Sequence, residues 1–314
     1  MNSAIAQKAL PPGRSSSQRS YARYCLVLAL VPVIAMLSSI LIARSDWYLR
    51  HQRNSYLAIS DYAFTLKGEN CAVVIYGDSS ALTGVSPAII EKQTGLSTCN
   101  IAQPNTALAM AGTFALDTYL EHNSRPKFIV FQFTAPDFAP TDPNGRLNEE
   151  GSLQLTRHKL DAQSLRLFAR HPIESLEFSE FILSSALLNR DPDEVTYHRA
   201  WTQIASTHGR FSVSAPPLKT CAGPLERRAP DPRWILQLRN QYAQGGTRVL
   251  IFVAPYPECD ASYDYYSQRL PQLADNPVTK FSIDLFNEQN HFTPAGADLN
   301  SQTVAEKIAS AARN

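Results

Sequence analysis

At 314 residues, 44% hydrophobic and 18% charged, the chain has ordinary globular composition and enough length for one large core with small appendages. Its 29 basic and 28 acidic side chains leave a formal net charge of +1. No basic run is interleaved with aromatics, which argues against nucleic acid as a partner, and no Cys-x-x-Cys or His-rich spacing points to a metal.

Residues 1–24 are rich in Ser, Ala and Gln around Pro11-Pro12-Gly13 and read as a disordered cytoplasmic tail. Residues 25–43, from Cys25 to Ala43, carry no charge. As a helix they reach about 28 Å, close to the hydrocarbon thickness of a bilayer, and Pro32 is tolerable there. Lys8, Arg14, Arg19 and Arg23 precede the segment with no acid among them, whereas Asp46 joins Arg44, Arg50 and Arg53 after it. That bias favours an N-terminus inside and a body outside. The alternatives are a cleaved signal peptide, against which the long apolar region and the lack of an Ala-x-Ala site count, and a buried core helix. Residues 44–70, with Trp47, Tyr48, Tyr56 and Tyr62, read as a connector with a helix and aromatics at the headgroup level.

From Cys71 to Asn314 the rhythm is strand and helix. Val73-Val74-Ile75-Tyr76 is a β-branched apolar run that stops at Gly77-Asp78-Ser79-Ser80, the pattern of a buried parallel strand entering a tight turn. Helix 86–94 follows, with Ser86 as N-cap, Pro87 at its first position and Gly95 as its stop. Strand 98–102, one helix from Thr106 to His122 and strand 127–133 come next. Repeats of this length imply a parallel sheet with right-handed crossovers. Residues 140–230 break the rhythm and read as an insertion: a turn at Thr141-Asp142-Pro143-Asn144-Gly145, helix over about 150–190, and an irregular stretch from His208 to Pro232. A lid, a glycan-contacting surface and a partner-docking face are all compatible with it. A helix opened by Asp231 and Pro232, strand 247–255, a helix around Tyr263–Leu273, a short strand near 281–284, a loop carrying His291 and a helix over 296–312 complete the α/β pattern.

Outside the apolar segment four cysteines remain. Cys71 precedes one strand and Cys99 the next, so a Cys71–Cys99 bridge is geometrically sensible and leaves Cys221 with Cys259; four reduced thiols are the alternative. Each bridge would stabilise by about 3 to 4 kcal/mol on the loop-entropy account.

Gly77-Asp78-Ser79-Ser80 after a strand, with Asn290-His291-Phe292-Thr293-Pro294-Ala295-Gly296 before a final helix, resembles the SGNH (GDSL-type) hydrolase superfamily over roughly residues 70 to 312. The resemblance implies a flavodoxin-like parallel sheet flanked by helices, with Ser79 as nucleophile and His291 as base. It implies no cofactor. The family usually has Asp three residues before the His; here Glu288 stands there, with Asp284 as fallback. Its oxyanion donors are the serine N–H, a Gly after the second strand and an Asn after the third. Here those places fall on Gln103-Pro104-Asn105-Thr106 and Thr134-Ala135-Pro136-Asp137, so Asn105 can contribute an amide, while an ionised Asp137 would repel developing charge. One lost donor costs about 100- to 1000-fold in rate. Asp78 and Ser80 complete the binding set, although Asp78 also suits a turn residue bonding its own backbone.

Anchored, outward-facing members of this kind resemble accessory proteins that O-acetylate exopolysaccharides beside a multi-span membrane acyltransferase. The expected protein is thus a single-pass, bacterial-type inner-membrane acyl transfer protein with a periplasmic body and a polysaccharide or glycan acceptor. A periplasmic carbohydrate esterase and a catalytically silent glycan-binding subunit are the alternatives.

Overall fold

The computed structural model describes residues 16–138, 147–221, 223, 228–288 and 290–313. Most of the tail at the N-terminus and the turn expected at residues 141–145 lie outside the described residues. In chain order the elements are α1 (Ser16–Ala43), α2 (Asp46–Arg50), α3 (Ser55–Thr65), β1 (Val73–Gly77), α4 (Ser79–Gly84), α5 (Pro87–Thr94), β2 (Thr98–Asn100), α6 (Asn105–Ala111), α7 (Phe114–His122) and β3 (Phe128–Phe133). There follow α8 (Glu149–His158), α9 (Ala162–Arg170), α10 (Pro172–Leu187), α11 (Val195–Ser206), α12 (Pro232–Tyr242) and β4 (Arg248–Val253). The C-terminal part holds β5 (Tyr256–Pro257), α13 (Tyr263–Ser267), β6 (Lys280–Phe281), β7 (Phe286–Glu288), β8 (His291–Phe292) and α14 (Pro294–Arg313).

The central sheet is parallel, in the order β2-β1-β3-β4, and flanked by helices. Every residue of β1 and β3 is buried, as continuous apolar runs covered on both faces require. Their register sets Gly77 opposite Gln132, so the chain leaves β1 and β3 at the same level. At Gly77 (φ +156°) a Cβ would lie 1.8 Å from the Gln132 carbonyl oxygen, and only glycine allows the two backbones to approach so closely.

Several local expectations change in three dimensions. The helix expected from Thr106 to His122 is two, because Gly112 takes φ +57° and its carbonyl accepts the Tyr76 hydroxyl at 2.6 Å. Ser86 makes no side-chain cap to α5; its N–H instead donates to Ser301 Oγ at 2.7 Å, pinning α5 to α14. His291 lies not in a loop at the end of a parallel strand but in the small antiparallel β7–β8 ribbon. Helix α1 already begins at Ser16, within the stretch read as tail. Of the connector aromatics, Trp47 is exposed, while Tyr48 and Tyr62 are buried in protein. Asp231 caps α12 through the Arg233 N–H, as its sequence suggests. The long β3–β4 connection carries α8 to α12, and residues 208–221 in it are without helix or strand.

Two disulfides, Cys71–Cys99 and Cys221–Cys259, tie the fold as the cysteine order suggested. The first joins the approach to β1 with β2, and both fit an oxidising compartment.

The stretch Arg23–Ala43 of α1 is long and apolar enough to cross a membrane. Its C-terminal end is also part of the body: Ala43 packs with Tyr48, Leu49, Leu57, Leu153, Phe178 and Ile182. Arg157 clamps this joint. Its guanidinium donates to the carbonyls of Ala43 and Ser45 at 3.0 and 3.1 Å, and to Asp61 Oδ1 at 2.9 Å. His158 Nε2 reaches the same Asp61 oxygen at 2.6 Å. Burial opposes the Asp61 charge, but His158 and Arg157 outweigh it and hold the carboxyl below the usual carboxylate range.

Asp61→Ala leaves Arg157 with only the exposed Asp46 carboxylate at 3.1 Å as counter-charge and is expected to cost up to about 3 kcal/mol. Because the Asp61 pKa is depressed in the fold, its stabilisation is present at neutral pH and drains as the pH falls below about 4. Thermal unfolding of wild type and variant at pH 7 and pH 3 should show the gap closing in acid.

Candidate active site

The GDSS turn is built by Asp78. Its Oδ1 accepts the Ser80 N–H at 2.8 Å and the Ser80 hydroxyl at 2.5 Å, capping α4, while Oδ2 accepts the Thr134 N–H at 2.6 Å across from β3. Ser79 therefore opens α4 at the carboxyl end of β1, where open parallel sheets hold ligands and where the first amides of a helix lack intrahelical partners.

Three buried amides then hold α4 in place. Asn100 Nδ2 donates to the Ala81 and Val85 carbonyls at 2.9 and 3.0 Å. Gln132 Nε2 donates to the Ser80 carbonyl at 3.2 Å. Asn300 Nδ2 donates to Gly84 O at 2.8 Å and to Gln132 Oε1 at 3.0 Å. None of the three was singled out in sequence; the available signal was Gln132 as the one polar residue of the otherwise apolar β3, while Asn300 lies on α14.

On the other side α4 meets β8. A Cβ on Gly84 would come within 2.5 Å of the Phe292 ring, so this glycine lets the ribbon close onto α4 and brings His291 beside it. His291 is 9% exposed. Glu288, its cross-strand partner, places Oε2 2.8 Å from Nδ1, but off the direction of the ring N–H. Neither ring nitrogen makes a hydrogen bond among the described residues. The Glu288 side chain is 57% exposed and free to swing into line. The fallback Asp284 is exposed in a 3-10 turn over Ile283–Leu285 and makes no recorded contact with His291.

Asp137, expected to repel charge as an anion, has its carboxyl shifted toward the protonated form. Burial, then the charge of Asp78 and a hydrogen bond between the two carboxyls, push its pKa up to about 8. The Thr134 hydroxyl, donating to Asp137 Oδ2 at 2.9 Å, and Arg228 offset this in part. Asn105 and Asp137 line one cavity of about 150 Å³ with Tyr76, Phe133 and Trp234; Ser79 and His291 are not among its walls. Gln103 keeps to the framework, its N–H on Gly77 O at 2.9 Å and its Oε1 receiving Gln154 of α8 at 2.5 Å. The structure thus joins Asp78, Ser80 and Asp137 in one network, His291 with Glu288 in another, and sets α4 between them.

The site is bordered by more acid than the sequence suggested. Tyr56 of α3 is pushed upward in pKa by burial and then by the charges of Glu288 and Glu150, so it lies within electrostatic reach of both carboxylates. Glu150, together with Glu149, Glu174 and Glu177, lines a separate cavity of about 370 Å³.

No protein family, curated protein or solved structure matched the chain.

A raised carboxyl pKa in the fold destabilises as the pH rises: relative to the unfolded chain, stability falls from about pH 4 until the Asp137 proton is lost near pH 8. Asp137→Asn should remove this slope. Compared by thermal unfolding at pH 6 and pH 9, the variant is expected to gain on wild type at the alkaline pH.

Proposed function

We propose that this chain is a membrane-anchored SGNH-like protein that transfers an acyl group, acetyl by resemblance, to a polysaccharide or other envelope glycan outside the membrane. One observation carries it. A buried imidazole whose nitrogens make no hydrogen bond among the described residues stands beside the helix that Ser79 opens, and an unpaired buried polar group costs about 1 to 3 kcal/mol unless a task retains it. The strand order, the serine turn after β1 and a histidine just before the last helix support the superfamily. The disulfides and the apolar α1 support a single-pass topology with the body in a periplasm-like compartment. The packing of Ala43 and Ser39 into protein argues against cleavage of α1, which would strip the body of part of its core.

The chemistry runs in two halves. Ser79 Oγ attacks the acyl carbonyl as His291 Nε2 takes its proton, with Glu288 swung onto Nδ1 to steady the imidazolium. The donor's leaving oxygen departs with that proton, leaving an acyl-serine. A sugar hydroxyl then attacks the ester, passing its proton to His291, and Ser79 is regenerated. A water in place of the sugar gives an esterase. A protonated Asp137 adds no repulsion to the oxyanion, and the Ser79 N–H is the candidate donor; Asn105 lines a cavity that Ser79 does not. An acyl group could be supplied by a multi-span membrane acyltransferase.

The off-axis Glu288 favours one competing reading, a silent glycan-binding subunit. Intact mass of the full chain in detergent, after exposure to an activated acetyl ester, separates the two. Wild type should gain one acetyl group and Ser79→Ala none, while His291→Ala acylates about 100- to 10,000-fold more slowly, the contribution of a positioned base. Folded wild type without an adduct would move the assignment to the binding subunit.

A further inference from the structure

Helix α12 has two adjoining faces of different chemistry. Ile235, Leu238 and Tyr242 are buried against the body. One position earlier, Trp234, Gln237, Gln241 and Gln244 recur three and four residues apart, so they run along the neighbouring side as one stripe. The stripe holds an indole and three amides and no ionised group.

It starts next to the serine turn. Trp234 and Gln237 share a cavity of about 150 Å³ with Asn105 and Asp137, and the Asp137 carboxyl is hydrogen-bonded to that of Asp78, the residue before Ser79. Gln241 lines this cavity and also a cleft of about 810 Å³ that continues past Tyr242 and Gln244 to α7 and Lys159. The two therefore form one groove, which follows α12 for roughly 15 Å from Trp234 to Gln244 at 1.5 Å per residue. Its larger part lies within the range of about 300 to 1,000 Å³ usual for ligand clefts.

The groove is built to read hydroxyls. Asn105, Gln237 and Gln244 are exposed, and their side chains make no hydrogen bond among the described residues. Gln241 Nε2 donates to the Tyr242 hydroxyl at 2.9 Å, which donates in turn to Asp117 at 2.6 Å; the Gln241 carbonyl accepts nothing among the described residues. An amide offers donor and acceptor together, as a sugar hydroxyl does, so each amide can satisfy one hydroxyl in both roles or bridge two. Half-buried Trp234 packs on Phe133 with ring centroids 5.2 Å apart, and its flat apolar ring suits the C–H face of a pyranose. Charge is balanced: Asp117 and Glu121 stand against Arg125 and Lys159. Arg125 already donates to the Tyr242 and Gln244 carbonyls, and His158 is taken by Asp61.

We propose that the α12 groove binds a neutral glycan chain, seating one sugar ring on Trp234 beside the Asp78–Asp137 pair and successive rings along Gln237, Gln241 and Gln244. The groove rests on the glycan half of the preceding section's reading and not on acyl transfer, since a silent binding subunit would use it equally.

The test is saturation-transfer NMR on the full chain in phosphatidylcholine nanodiscs, free of sugar-headed detergent, with cellopentaose, mannopentaose and chitopentaose as neutral probes and tetragalacturonate as the acidic one. At least one neutral probe should bind, with transfer strongest at its ring C–H protons and no change between low and high salt. Gln237→Ala, at an exposed position, should weaken that binding about 2- to 10-fold, the worth of one hydrogen bond, and Trp234→Ala should weaken it further. Leu299→Ala, exposed on α14, should bind as wild type. Binding that survives both groove variants, binding of tetragalacturonate alone, or no transfer to any probe overturns the groove. The acetyl adduct of the preceding section is read separately: groove binding without an adduct keeps the groove and removes the transferase, and an adduct without groove binding does the reverse.

Discussion

Asp78 uses both carboxylate oxygens within the turn after β1, one on the Ser80 amide and hydroxyl that cap α4, the other on the Thr134 amide at the end of β3. The rest of the site depends on that clasp. It fixes where α4 starts, hence where Ser79 stands, and it fixes the end of β3 from which Asp137 turns back. A buried carboxylate receiving two backbone amides is a strong acceptor. It then imposes its charge on the nearest ionisable neighbour, which is why Asp137 retains a proton that an isolated aspartate would have lost.

Much of this was legible in the chain because it is written locally. An apolar run that ends at Gly-Asp-Ser announces a strand and its turn, and the order of the cysteines along the chain matches both bridges. What escaped was set by contacts between distant segments. The break at Gly112 follows from a positive φ that is stabilised by a hydroxyl on β1. The β7–β8 ribbon has only two or three residues per strand, too few for any periodicity. Gln132 and Asn300 are unremarkable polar residues until the fold sets them 3.0 Å apart under α4. The upward shift of the Asp137 carboxyl is a property of burial beside Asp78, and no spacing in the sequence encodes burial.

The histidine shows the two kinds of information meeting. Its place before a glycine and a final helix was visible in the chain, whereas its loneliness was not. His158, more open to solvent, stacks on Phe64 with ring centroids 4.0 Å apart and bonds Asp61. His291, 9% exposed, makes no hydrogen bond through either nitrogen among the described residues, although the Glu288 carboxylate lies 2.8 Å from Nδ1.

Arg157 bears on how far the body can reach. Its guanidinium grips the last carbonyls of α1 and, through Asp61, the helix that leads into β1, so α1 and the body meet at a fixed joint and not through a slack tether. Whatever holds α1 thereby sets the height and the facing of the body.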